Sequence, residues 1–225
     1  MAGRVAGALQ AEIVSRGWPV GEALGSEAHL MERFGISRSV LREALRILES
    51  KWVAKPKPGP GGGLVVTAPD RSAVRDISSL YLDYVGFAPA DFYEVWMALE
   101  LTAVERLASE ISADGIAALE AVLRHEEEVP DWREQVASVH TEIGRLSGNP
   151  VLELFLSVIS DLARIHGVES GEDGHRWLHR QHTELVAAIA AGDALAAQRV
   201  VRRQLTWLRR HQSLLPTGRE GAAKG

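Results

Sequence analysis

The stretch FGISRSVLREALRILES, Phe34 to Ser50, decides how this 225-residue chain is read. Ser37 is placed to accept from the free amides of a helix that begins at Arg38, and Leu41, Ala44, Leu45 and Leu48 recur at the spacing of one buried face. Upstream, Ser26 caps a shorter helix with Glu27 in its first turn, where a carboxylate complements the helix dipole. Leu30, Met31 and Phe34 face inward until Gly35 ends it. Earlier still, Val5, Leu9, Ile13 and Val14 mark a first helix that Gly17-Trp18-Pro19 stops. Two short helices joined by Gly35-Ile36-Ser37 form a helix-turn-helix.

The opposite face of the third helix carries Arg38, Ser39, Arg42 and Arg46, three guanidiniums and a hydroxyl on one side. The N-terminal residues of such a helix enter the major groove, where Arg can bond two acceptors of guanine. The first turn, Ser37 to Val40, offers amides that can hold a phosphate. The competing reading is a solvated face whose arginines pair with Glu43 and Glu49. Trp52 to Lys57 and Leu64 to Thr67 then read as two short strands joined by Pro58-Gly59-Pro60-Gly61-Gly62-Gly63. A hairpin directly after a helix-turn-helix makes a winged helix, with Lys55 and Lys57 supplying charge and Gly61 and Gly62 allowing close approach to a DNA backbone. The DNA-facing set is therefore Ser37, Arg38, Ser39, Val40, Arg42, Arg46, Lys57, Gly61 and Gly62.

Charge supports this division. Residues 1 to 68 hold nine Lys or Arg against six Glu, net +3, whereas residues 69 to 225 hold sixteen basic against twenty-four acidic side chains, net −8. A basic module joined to a larger acidic domain suits a polyanion binder. With 46% hydrophobic residues the chain can build a core, and with no Cys it can have neither disulfides nor thiolate chemistry. No apolar run reaches membrane-spanning length, so a soluble, cytoplasmic protein is expected.

Beyond residues 69 and 70, which read as a short linker, helical stripes follow one another to about residue 213. They are Phe92, Trp96, Leu99, Ala103 and Leu107; Ile116, Leu119, Val122 and Leu123; Leu152, Phe155, Ile159 and Leu162; Leu185, Val186 and Ile189; and Val200, Val201, Leu205 and Leu208. Asn149 caps with Pro150 at the first helical position, Gly192 closes one helix and Asp193 opens the next. The fold class is mainly α: a winged helix-turn-helix over 1–68, then an all-helical bundle of six or seven helices over 71–213. Residues 214–225 are expected to form a disordered tail.

The run Gly21-Glu22-Ala23-Leu24, the pair Ser26-Glu27, the stretch from Phe34 to Ser50 and GGGLVV (Gly61 to Val66) resemble the winged helix of the GntR family of bacterial transcription regulators. The resemblance implies that Arg38, Ser39, Arg42 and the wing glycines touch DNA. Two departures stand out. Ala28 replaces the usual Arg after Ser-Glu, which puts one DNA contact in doubt. Lys51-Trp52 replaces the usual Gly where the third helix gives way to the wing, so that turn is expected to be built differently. Leu99-Glu100, His140 before Gly148-Asn149-Pro150, and HTELVAAIAAGDALAA from His182 to Ala197 are similar to the FCD effector domain of the FadR subfamily.

In most such domains an Asp four residues before the first His, that His and two further His bind a divalent metal, which helps hold a carboxylate effector. Carried across, these positions fall on Val136, His140, His182 and Gln204, and an Arg often used on acidic ligands falls on Trp96. Of the four ligands, His140 and His182 survive. Two imidazoles and an amide oxygen make a poor divalent site without a carboxylate to offset the charge, so no metal or other cofactor is expected. His175, His179 and His182 offer a rival cluster along one helix. Val136 and Trp96 favour a more hydrophobic effector than a small dicarboxylate, with Trp96, Glu100, His140, Arg145, His182 and Gln204 as its binding set.

The expected function is a homodimeric repressor, not an enzyme, that binds an inverted operator in double-stranded DNA and is modulated by a small molecule. The alternatives are a DNA-binding dimer with an unresponsive bundle and a metal-dependent enzyme. Against the enzyme, the chain has no HExxH and no nucleophile elbow, and His125-Glu126-Glu127-Glu128 reads as a solvated charge run.

Overall fold

The computed structural model describes residues 1–57, 63–128, 132–166 and 171–211, with 132–138, 166, 171 and 172 described by backbone alone. Gly61, Gly62 and the tail at 214–225 lie outside the described residues. The chain is mainly α and divides into two units, Met1–Ala73 and Val74–Gly225.

In the first unit, α1 (Ala2–Ser15), α2 (Glu27–Phe34) and α3 (Arg38–Ser50) precede the strands β1 (Ala54–Lys57) and β2 (Gly63–Val66). The caps work as their residue types require. The Ser26 hydroxyl accepts from the amide of His29, Ser37 accepts from that of Val40, and Gly35 closes α2 in the left-handed conformation. Leu9, Ile13, Leu30, Leu41, Ala44, Leu45 and Leu48 share one core with Leu64 and Val66 of the wing. Full burial of each Leu contributes about 1.5 to 3 kcal/mol. Val14, expected inside, is exposed, because Leu9 and Ile13 already fill the face that meets α3.

The strands pair antiparallel with Ala54 opposite Val66 and Lys57 opposite Gly63. The segment from Gly21 to Gly25 lies along the other edge of β2, where the Leu24 amide donates to the Leu64 carbonyl and the Val66 amide to that of Glu22. A Cβ on Gly63 would come within 2.2 Å of the Gly25 carbonyl oxygen, so a glycine is needed there.

The turn after α3 corrects an expectation. Trp52 adopts the left-handed conformation (φ 59°), the one a glycine would supply, so the turn keeps its usual shape and a tryptophan bears the strain. Its amide donates to the Glu49 carbonyl and that of Val53 to Leu48, closing the helix end. Thr67 ties down the same corner, its hydroxyl donating to the Trp52 carbonyl and its own carbonyl accepting from the Trp18 indole.

The second unit takes in most of α4 (Arg71–Val85), followed by α5 (Pro89–Glu110), α6 (Ala113–Glu128), α7 (Trp132–Leu146), α8 (Pro150–His166), α9 (Gly171–Ala190) and α10 (Ala194–His211). Asn149 accepts from the amides of Val151 and Leu152 at the start of α8, and Asp193 accepts from Ala196 at the start of α10, as their positions predict. α7 packs on α8, α5 on α10, and α10 on α9. Gly144 lets α7 close on α8, since a Cβ there would stand 3.1 Å from that of Leu156. Leu152 and Ile159 enter the core, but Phe155, expected with them, is exposed. α4 buries none of its residues, and Ile77, Leu80, Tyr81 and Tyr84 form an exposed apolar stripe at helical spacing. Among the described residues no helix is long and apolar enough to cross a membrane.

Candidate functional site

Two groups of polar side chains stand out, one in each unit. On α3, Arg38, Ser39, Arg42 and Arg46 all face outward, with the Arg38 and Arg46 side chains 68% and 78% exposed. Arg46 lies 3.7 Å from Glu43, and Arg38 reaches Glu27 at 4.0 Å. Exposed pairs of this kind are worth less than about 1 kcal/mol, so a phosphate or a base edge can displace them. Arg42 has no carboxylate partner among the described residues. Ser37 caps the helix by accepting from the Val40 amide and also meets the Ser39 hydroxyl at 2.9 Å. Val40 is half-buried beside them, and Lys55 and Lys57 are exposed on β1.

The second group lies inside the bundle. Trp96, Glu100, His140, His182 and Gln204, expected to converge, are all completely buried. Glu100 on α5 accepts a short hydrogen bond from Nδ1 of His140 on α7. Glu126 on α6 accepts from Nδ1 of His182 on α9 at 2.9 Å. Between the imidazoles stands Gln204 of α10, its Nε2 lying 3.2 Å from Nε2 of His140 and 2.7 Å from Nε2 of His182. An amide nitrogen carries two hydrogens, so one carboxamide donates to both rings while each ring donates its Nδ1–H to a carboxylate. An amide nitrogen has no lone pair to accept with, so in both contacts the ring Nε2 is the acceptor.

Aromatic rings close one side. Trp96 meets the His140 ring edge-on at 4.9 Å and stacks on Tyr93 at 6.0 Å. Burial pushes the Tyr93 phenol well above its ordinary pKa. On the other side His179, partly exposed, reaches Glu126 and Glu127, each at 3.3 Å. Several buried polar atoms here have no protein partner among the described residues: the Tyr93 hydroxyl, the Trp96 indole nitrogen, Glu100 Oε2 and Gln204 Oε1.

Not every expected residue joins this group. Arg145 is half exposed and bound to Glu142, away from the buried cluster. The backbone of Val136 lies in α7, but its side chain is outside the description; a valine offers no ligand atom in any case. His179 and His182 turn Nδ1 toward one carboxylate rather than toward a common ion, and among the described residues no three metal-ligating side chains converge. The donor set does not fit a divalent cation, because the Nε2 lone pair of each ring already accepts from the Gln204 amide.

Glu126, expected in a solvated charge run, is buried. A signal existed, since Glu126 falls three residues beyond Leu123 and seven beyond Leu119, on the apolar stripe of α6.

Comparison with known proteins bears on both groups. The family model described as "Bacterial regulatory proteins, gntR family" matches residues 1–63, and that of the FCD domain matches residues 91–206. The chain is 24% identical over 207 residues to the Uxu operon regulator of Haemophilus influenzae, covering 87% of this chain and 76% of that one. It shares its fold with the Streptococcus agalactiae GntR structure, at a TM-score of 0.71 and 22% identity, over 93% of this chain and 99% of the other.

Proposed function

The chain belongs to the GntR family of bacterial transcription regulators and carries an FCD effector domain, and on that premise we propose that it is a homodimeric repressor released from its operator by a small molecule. The observation that carries the DNA reading is the outward face of α3, where Arg42 has no carboxylate partner among the described residues and Arg38 and Arg46 hold theirs only at the surface. Two such heads on one dimer read an inverted repeat, one half-site each. The exposed stripe of α4 supports the dimer, since four large apolar side chains on one helix face are costly to leave in water.

The effector reading is supported by the unpartnered Tyr93 hydroxyl, Trp96 indole, Glu100 Oε2 and Gln204 Oε1, two donors and two acceptors beside an aromatic wall. A ligand's polar group would meet these atoms and not the imidazoles, whose nitrogens are engaged. It would shift operator binding only by favouring one arrangement of the dimer over the other.

Selection from a pool of random duplexes tests the reading. The full chain should enrich an inverted repeat with half-sites about one helical turn apart. Enrichment of no sequence would remove it, and a monomer in sedimentation at micromolar concentration would remove the two-headed form. Leu80→Glu should weaken the dimer.

A further inference from the structure

We propose that the Gln204 carboxamide does in this bundle the work of a metal ion, its two N–H groups drawing together the Nε2 atoms of His140 and His182 so that the core keeps its geometry with no divalent cation. The two rings stand with centroids 5.4 Å apart and planes at 86°, each turning Nε2 inward and Nδ1 outward to a buried carboxylate. That is how carboxylates orient imidazoles around zinc: the outer hydrogen bond fixes the tautomer and presents the inner lone pair. Here both inner lone pairs meet N–H hydrogens of one neutral amide. An ion would bring two positive charges among Glu100 and Glu126, whereas the amide brings none, so the carboxylates are satisfied through the imidazole Nδ1–H groups. The anchor is covalent. It cannot dissociate or be removed by a chelator, and it needs no supply of metal. Gln204 is in this sense a positioning residue, and the inference stands whether or not the bundle binds an effector.

The same geometry places the chain one substitution from a zinc site, because Gln204→His would offer a third nitrogen where two oriented imidazoles already face inward. The native protein, dialysed against a chelator and then given zinc, should melt at an unchanged temperature and contain far less than one zinc per chain by elemental analysis. Stoichiometric metal, or a melting temperature lowered by the chelator, would overturn the proposal. Gln204→His should take up zinc, and with free zinc about 100-fold above its Kd the melting temperature should rise reversibly by about 5 to 10 °C. A folded variant indifferent to zinc would show that the two Nε2 atoms do not share a centre. Gln204→Met keeps the length of the side chain and removes both N–H groups. It should melt lower and shift the Nε2 signals of both imidazoles in nitrogen-15 spectra of the full chain. Two unmoved signals would overturn the proposal irrespective of whether the histidine variant folds.

Discussion

The winged helix and the bundle place their polar groups in opposite ways. On α3 the arginines stand in water with weak partners or none, while in the bundle Glu100, His140, His182 and Gln204 are sealed from solvent and partnered with one another. An outward guanidinium can be given to a ligand with little cost to the fold, because water already satisfied it. An inward imidazole cannot, since removing it strands a buried carboxylate. In the first unit function and stability are separable, and in the second they are carried by the same atoms.

The sharpest way to break this contrast is His182→Ala, which takes from Glu126 its inner hydrogen-bond donor and should cost about 1.5 to 3 kcal/mol of stability in denaturant melting. A loss below about 1 kcal/mol would put the inner polar groups on the footing of surface ones. Next come Arg38→Ala and Arg42→Ala, each expected to weaken operator binding by about 1 to 3 kcal/mol while stability moves by less than about 0.5 kcal/mol. Lys57→Ala should act on all sequences alike and lower the salt slope of binding by about one. Unchanged operator affinity in both arginine variants would remove α3 as the reading helix.

A smaller effect sharpens the contrast within the first unit. Trp52→Gly should relieve the left-handed strain after α3 and raise stability by about 1 kcal/mol, less whatever packing the half-exposed indole supplies. A loss of stability would mean that packing at that corner outweighs the backbone.

The smallest concerns pH. Burial raises the Tyr93 pKa in the folded chain, so above about pH 10 the unfolded chain releases a proton that the folded one retains. Stability is therefore intact below about pH 10 and lost as pH rises further. Tyr93→Phe should lose less, by roughly 1 kcal/mol per pH unit in that range, when melts of the two proteins are compared.

Much of the fold was legible because its signals are local. Ser37 and the stripe Leu41, Ala44, Leu45 and Leu48 define α3 within a dozen residues, and Asn149-Pro150 starts α8 without help from elsewhere. Five members of the buried cluster were legible through likeness to a family: His140, His182 and Gln204 at its metal-ligand positions, Trp96 where it carries an arginine, and Glu100 in the Leu99-Glu100 pair that carries the resemblance. Glu126 escaped because three consecutive glutamates resemble a solvated run, and what overrides that is an imidazole 56 residues away. Which way the Gln204 amide points was equally out of reach, being set by the needs of two rings on two other helices. Arg145 misled for the opposite reason: its partner Glu142 lies one turn back on the same helix and holds it at the surface. Trp52 shows a local rule prevailing over residue type, since the turn requires the left-handed shape whoever occupies it.

The chain of bonds through Gln204 touches α5, α6, α7, α9 and α10, tying five helices with five side chains. None of these helices can fray inward without stranding a charge or a lone pair on another, so local opening is suppressed in favour of opening the whole centre. Amide protons near the middle of the five should then exchange with solvent at one common rate, as a single cooperative unit, while those of α4, which shares in none of these bonds, exchange early and independently.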